Sequence, residues 1–308
     1  MQARIKKIQL SHFSIGIICA LVATFGLSFK AIIIKLVYQH SPEIDAITIL
    51  VIRLALALPL FILLLKKYAP KTTTPMLRRD LMSLFMLGFI GFYLSAILDF
   101  SALAYIPAGL ERLILFLYPT FVVLITFFLH PQQIKPKIIA ALALSYLGIL
   151  IVFIEQTQYF TSEYLLGSLL VFGAAVVFAI YTVVSVKPIQ QHGAIRFTVY
   201  AMIGATFATV IHAMYQHGLQ VFVQSIEVYA LIAPMAVFST VLPLILMAEG
   251  IKRIGAPNAS ILSTSGPIIT LTLAYFMLGE TFGALQAIGG LMIIFGVFLV
   301  AKQYKNHK

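Results

Sequence analysis

Ten times along this chain a run of about 20 residues passes with almost no charge, and each such run is long enough to cross a hydrocarbon layer of ~30 Å as a helix rising about 1.5 Å per residue. Inside lipid the backbone must satisfy its own hydrogen bonds, so an isolated apolar run of this length folds as a helix. The runs lie at 14–37, 45–66, 80–101, 107–129, 136–154, 164–186, 195–216, 228–250, 256–278 and 283–301. Between them stand short segments with turn residues, such as HSPEID (40–45), YAPKTTTP (68–75) and HPQQIKP (130–136). Composition agrees: 10% of the residues are charged, against roughly 25% in a soluble domain. The expected fold is an all-α membrane protein of ten transmembrane helices with no soluble domain. The first run follows a basic N-terminus, as a signal peptide would, but it continues to Val37 with no small-residue cleavage pattern and reads as helix one.

The net charge of +11 would suit nucleic acid if the basic residues formed a patch, but they sit in short clusters between apolar runs. Alternate loops separate by sign. Lys6, Lys66, Arg78, Lys135, Lys187, Arg196, Lys252 and Lys305 fall on one side, and Glu43, Asp45, Glu155, Glu163, Glu227 and Glu280 on the other. The positive-inside rule then places both termini in the cytoplasm of a multi-pass protein of the cell's inner membrane. Nucleic acid is excluded as a partner, and the lipid bilayer takes its place. The single cysteine, Cys19, excludes a disulfide framework and a cysteine metal cluster; no metal or cofactor is expected.

The two halves echo each other. ALAYIPAG (102–109) lies over GIKRIGAP (250–257), and the same offset sets Pro119 on Pro267 and Gly148 on Gly296. Five helices is an odd number, so the second copy must be inverted in the bilayer, as in secondary transporters whose solute site lies between the repeats near the midplane. The expected units are residues 1–155 and 160–308.

The segment ALAYIPA (102–108), the matching IKRIGA (251–256), the paired Pro119 and Pro267, and LGETFGALQAIGGLMIIFGVFLVA (278–301) together resemble the EamA family of the drug/metabolite transporter superfamily. The resemblance covers nearly the whole chain and implies a ten-helix permease that exports amino acids and other small metabolites. Where the second half has Leu278-Gly279-Glu280, the first has the divergent LHPQQ (129–133), so a role for that glutamate in both halves does not carry over.

Charge inside the apolar runs is the local chemical signal. A charged side chain near the bilayer centre costs at least ~2.5 kcal/mol, so such groups face one another or a wet cavity. Lys35 lies close enough to a helix end to snorkel. Lys30, Arg53, Asp99, Glu111 and Arg112 lie deeper, all in the outer half. Glu111 and Arg112 are neighbours whose side chains leave a helix about 100° apart, so each needs a partner on another helix. The expected network joins Glu111 to Lys30 or Arg53, and Arg112 to Asp99. Packing latches would look alike, but the repeat is one-sided here: Glu111 and Arg112 correspond to Ala259 and Ser260, and Lys30 to Tyr181. That asymmetry favours groups used for solute or proton.

Pro119 and Pro267 fall near the middle of their runs, where a proline frees the carbonyl four residues earlier, at Leu115 and Ser263, and supplies a hinge. Tyr181 and Ser263 are placed toward the solute path by the repeat. His212, a lone intramembrane histidine, reads as a packing residue. The chain has no P-loop, H-E-x-x-H or G-x-S-x-G motif, so it reads as a non-enzyme. The function expected is secondary transport, export of small metabolites such as amino acids by alternating access, driven by a proton or an exchanged solute. The readings left beside it are a non-transporting structural or sensory membrane protein and a membrane-embedded enzyme; a homodimer stays open.

Overall fold

The computed structural model describes residues 12–68, 77–129, 136–155, 161–254, 262–263 and 265–305, and helices account for nearly all of them. In chain order they are α1 (His12–His40), α2 (Ala46–Tyr68), α3 (Arg78–Tyr105), α4 (Ala108–Leu115), α5 (Tyr118–Leu129), α6 (Pro136–Glu155), α7 (Ser162–His192), α8 (Ala194–His217), α9 (226–254), α10 (Gly266–Leu278) and α11 (Ala284–Lys305). Among the described residues, α1, α2, α3, α7, α8 and α9 are long and apolar enough to cross a membrane, while Gly266–Leu278 and Ala284–Gly296 are shorter apolar helices.

Local chemistry sets the helix ends. The Thr161 hydroxyl accepts the N–H of Tyr164 at 3.1 Å and starts α7, and the Ser225 hydroxyl does the same for α9. The Asp45 carboxylate accepts the N–H of Thr48 at 3.0 Å at the head of α2. Lys66 and Lys67 close α2, where cations suit the negative end of a helix.

Two departures from regular helix stand out. Within α3, residues Phe89–Leu94 form a π-helical turn, and within α9, Val237–Val241 form another. Ser95 N–H bonds back to the Ile90 carbonyl, and Leu242 N–H to that of Val237, five residues earlier in both cases. The two π turns begin at the spacing that relates Pro119 to Pro267. Each is met by a helix of the other half: Tyr181 of α7 lies on Gly91, and Gly26 of α1 lies against the Phe238 carbonyl.

The fourth expected span, 107–129, is not one helix. It breaks at Phe116–Leu117 into α4 and α5, bridged by tight bonds from Leu117 N–H to Ile114 O (3.0 Å) and Thr120 N–H to Leu117 O (2.9 Å). Pro119 and Pro267 are therefore not in mid-helix. Each stands in the first turn of a new helix, α5 and α10, where a missing N–H has no bond to lose. The chain meets the proline by ending one helix and starting another instead of bending a continuous one.

The buried centre combines α1, α2, α3, α8 and α9 through Ile32, Ile49, Leu50, Phe100, Met202 and Ile232. Outward faces stay apolar too, as at Phe128, Phe207 and Leu291; against water that would be an aggregation hazard, and against lipid it is the matching solvent.

Candidate functional site

Five charged side chains from α1 to α4 gather in one buried cluster around Asp99, and two of them lie over the ring of Phe100. Lys30 of α1 forms an ion pair with Asp99 Oδ2 of α3. The Lys30 ammonium stands 5.6 Å from the centre of the Phe100 ring, and the Arg53 guanidinium of α2 stands 4.7 Å from it. Phe100 thus accepts two cations, each of which gains from the ring's negative face where water is excluded.

Burial makes this arrangement costly to leave incomplete. Glu111 is 0% exposed, Asp99 2% and Arg53 6%. Asp99 stands close enough to interact with Lys30, Glu111 and Arg112, and its field also reaches Arg53. The two acids thus face each other with cations on both sides. The Nε of Arg53 and the Nε of Arg112 have no hydrogen-bond partner, and the Asp99 and Glu111 carboxyls stand close enough to hydrogen-bond each other. A buried polar group without a partner costs ~1–3 kcal/mol, and more when charged.

The expected residues come together: Lys30 takes Asp99 as its direct ion pair, while the expected contacts of Arg112 with Asp99 and of Glu111 with Lys30 are charge interactions without a direct ion pair. The reason is geometric: α1 packs beside α3, and Phe100 holds the Lys30 ammonium next to the residue that precedes it. Arg112 turns instead toward the break before α10, where a Cβ on Gly266 would stand 3.0 Å from its Nη2 and 3.4 Å from Thr24 Cγ2. A side chain at 266 would press on both. Ser28 donates to the Gly266 carbonyl at 3.2 Å, and Thr270 to the Ser28 carbonyl at 3.5 Å, so α1 lies against the start of α10 through hydroxyl groups.

Tyr181 is not among the charges. Its ring packs with Phe92, Phe178 and Phe197 at centroid distances of 5.1, 5.5 and 6.2 Å. It is linked toward Arg112 through Phe178 and then Tyr118, whose ring lies 5.2 Å from that of Phe178. Ser263 is half-buried in the stretch before α10. Pro267 is buried in the first turn of α10, and Pro119 lies in the first turn of α5. His212 Nδ1 lies 2.9 Å from the Tyr93 hydroxyl, a bond between α8 and the π turn of α3.

Two charges named from the sequence have partners that it does not reveal. Lys35 does not snorkel: its ammonium donates to the carbonyls of Leu103 (2.9 Å) and Ile106 (3.0 Å) at the end of α3. Glu280 accepts the N–H groups of Ala108 (2.8 Å) and Gly109 (3.0 Å) at the start of α4. In the sequence Glu280 is a loop acid within the segment 278–301 that carries the family resemblance, with nothing to name its partners. Phe100 looked like any core phenylalanine. At the head of α2, Asp45 also accepts from His217 Nε2 (2.7 Å) and Gln216 Nε2 (3.1 Å). Partial burial works against its ionised form, but the hydrogen bonds from Thr48 and His217 outweigh it and hold the Asp45 carboxyl below its ordinary value. Among the described residues, no group of three His, Cys, Asp or Glu side chains could hold a metal.

The model of the EamA-like transporter family matches the chain twice, over residues 14–154 and 165–302. A Bacillus subtilis protein named uncharacterized transporter YcbK is 32% identical over 278 residues, covering 89% of this chain and 88% of that protein. Another from the same organism, uncharacterized transporter YyaM, is 28% identical over 248 residues, covering 79% and 80%. An uncharacterized transporter of Archaeoglobus fulgidus is 24% identical over 203 residues, covering 66% and 70%. Among solved structures, a crystal structure described only as that of a protein aligns with a TM-score of 0.65 at 15% identity, covering 94% of this chain and 97% of that one, a likeness of fold.

Proposed function

Because the chain belongs to the EamA-like transporter family, we propose that it is a secondary transporter exporting small metabolites such as amino acids across the cytoplasmic membrane. The observation that carries this reading is the buried cluster of Lys30, Arg53, Asp99, Glu111 and Arg112. A membrane protein that needed only packing could fill these positions with apolar groups at lower cost. Protons serve as the driving ion, with Asp99 and Glu111 as carriers that change charge when Lys30 and Arg112 move away.

The mechanism is alternating access between two inverted repeats, residues 1–155 and 160–308, forming ten crossings with both termini in the cytoplasm. Packing supports it. As α1 lies against α9 and α10, so α7 lies against α3 and α5, and α2 and α8 meet each other. The matched π turns and the matched breaks before Pro119 and Pro267 supply pairs of deformable points, one in each repeat. Opening one face requires the helices around a break to change angle.

Counterflow in proteoliposomes tests the function. Purified protein loaded with unlabelled solute should accumulate labelled solute for one member of a panel of amino acids, nucleosides and polyamines, and a pH gradient should change the extent. Absence of flux for every member, with protein shown to be folded, would sink the transport reading.

A further inference from the structure

We propose that Glu280 is the positioning residue for the ionic cluster and, together with Lys35, the latch that holds the outer face closed. The proposal rests on the transport reading for its purpose, and on hydrogen bonds for its substance.

Between α3 and α4 the chain makes an abrupt turn at Ile106–Pro107, which leaves unpaired carbonyls behind it and unpaired N–H groups ahead of it. Pro107 occupies the cap position of α4 and has no side chain that could accept from those N–H groups. Two long-range charges do the capping. Lys35 of α1 supplies the cation for the carbonyl end of α3, and Glu280 supplies the anion for the N–H end of α4. Each charge matches the helix dipole that it meets, and the two also attract each other. Bonds of this kind, with one ionised partner, are about twice as strong as neutral ones.

Their position gives them a mechanical role. Glu111 and Arg112 follow Gly109 within one turn, and α4 has only eight residues, too few to hold its direction alone. Glu280 thereby fixes the helix that carries two of the five clustered charges. Glu280 belongs to the second half and Ala108 to the first, so these bonds run between the parts that alternating access must separate. The contact is tight: a Cβ on Gly109 would stand 2.5 Å from Phe282 and 2.8 Å from Leu271.

The sequence builds this presentation deliberately. Gly279 has φ of 67°, the left-handed conformation that ends α10. The N–H of Glu280 then returns to the Ala274 carbonyl at 3.2 Å, and its side chain is aimed at α4. In the first half the equivalent position is Gln132, which carries no charge.

The test is accessibility, which needs no known solute. In a Cys19→Ser background, Thr24→Cys places a reporter at a position 2% exposed, below the cluster, and Ala20→Cys places a control at a position 0% exposed, deeper toward the cytoplasm. Reaction with an impermeant maleimide added outside intact cells should speed up about tenfold or more at the Thr24→Cys reporter when Glu280→Gln is added, the ratio expected for losing bonds to a charged group. The Ala20→Cys control should not change. Lys35→Met should act in the same direction, and it carries the test if Glu280→Gln does not reach the membrane. Unchanged labelling at the Thr24→Cys reporter overturns the latch; an equal rise at both positions also overturns it, because it means general loosening. Loss of the transport reading would appear elsewhere, as absent flux from the wild-type protein with these labelling rates intact.

Discussion

A methyl group on Gly88 would stand 1.8 Å from the carbonyl oxygen of Ala201. The two helices α3 and α8 therefore touch backbone to backbone at that point, the kind of contact that holds membrane helices together where lipid offers no hydrophobic drive. Gly88→Ala gains up to ~1 kcal/mol of helix propensity but forces a backbone apart, and overpacking costs ~1–3 kcal/mol. The expected result is a lower melting temperature in detergent. Gly173→Ala is the matched control, since its added carbon would meet only Leu98 Cδ1 at 3.7 Å; it should be neutral or stabilising. Equal melting of the two variants would show that the α3–α8 contact can relax.

The ionic cluster makes a prediction about exchange of partners. Lys30→Met leaves Asp99 buried without its ion pair, a loss of ~3–5 kcal/mol when a pair is truly buried. The double variant Lys30→Asp with Asp99→Lys should recover folding, read as monodisperse protein at wild-type yield, but not transport. Glu111→Gln should fold well, because the amide keeps the shape of a carboxyl and can still donate to Asp99, and should lose proton-driven flux while keeping some solute exchange. Wild-type flux from Glu111→Gln across the pH range would remove Glu111 from the mechanism.

Pro119→Ala and Pro267→Ala should change transport more than stability. Both prolines occupy first turns, where substitution by alanine costs little. Alanine would let the helices on the two sides of each break join, and transport should slow severalfold while expression holds. If both variants transport at the wild-type rate, the breaks do not move.

Asp45 gives a pH dependence. Its carboxyl is held below the ordinary value in the folded protein, so its contribution is fully present above the unfolded value of about 3.9. It fades as pH falls through the lower, folded value. Asp45→Asn should melt a few degrees below wild type at pH 7, a small gap because the site is half exposed. The gap should close in the acid range below about pH 4. A gap that persists unchanged there would assign the effect to shape instead of charge.

Topology can be read from outside. In a Cys19→Ser background, Val223→Cys, on the exposed turn between α8 and α9, should react with impermeant maleimide in intact cells. Arg79→Cys, at the start of α3, should react only after permeabilisation. The opposite pattern would invert the orientation.

What could be read from sequence was whatever depends on length, period and charge. Helix existence followed from the apolar runs, and the cluster followed from the expense of Lys30, Arg53, Asp99, Glu111 and Arg112 in lipid. Partner choice did not, because whether Asp99 meets Lys30 or Arg112 depends on which helices are adjacent. The breaks were misplaced as mid-helix kinks, since a proline in an apolar run looks the same whether the helix bends or restarts. Tyr181 corresponds to Lys30 in the repeat, but that correspondence does not reveal the aromatic neighbours that the fold gives it. Glu280 was hidden for another reason: the groups it serves are main-chain N–H groups, which every residue but proline carries.

The π turn in α3 has a rotary consequence. Its six residues, Phe89–Leu94, advance around the axis more slowly than they would in an α-helix, and over the whole turn the shortfall is about 100°, one residue's worth. Asp99 lies just beyond it in the chain. Rewinding that turn would leave the Arg78 end in place and crank the segment that follows it through this angle. The carboxylate that now meets Lys30 would swing to a different neighbour, so a change of hydrogen-bond phase in one helix is enough to separate the pair without unfolding either partner.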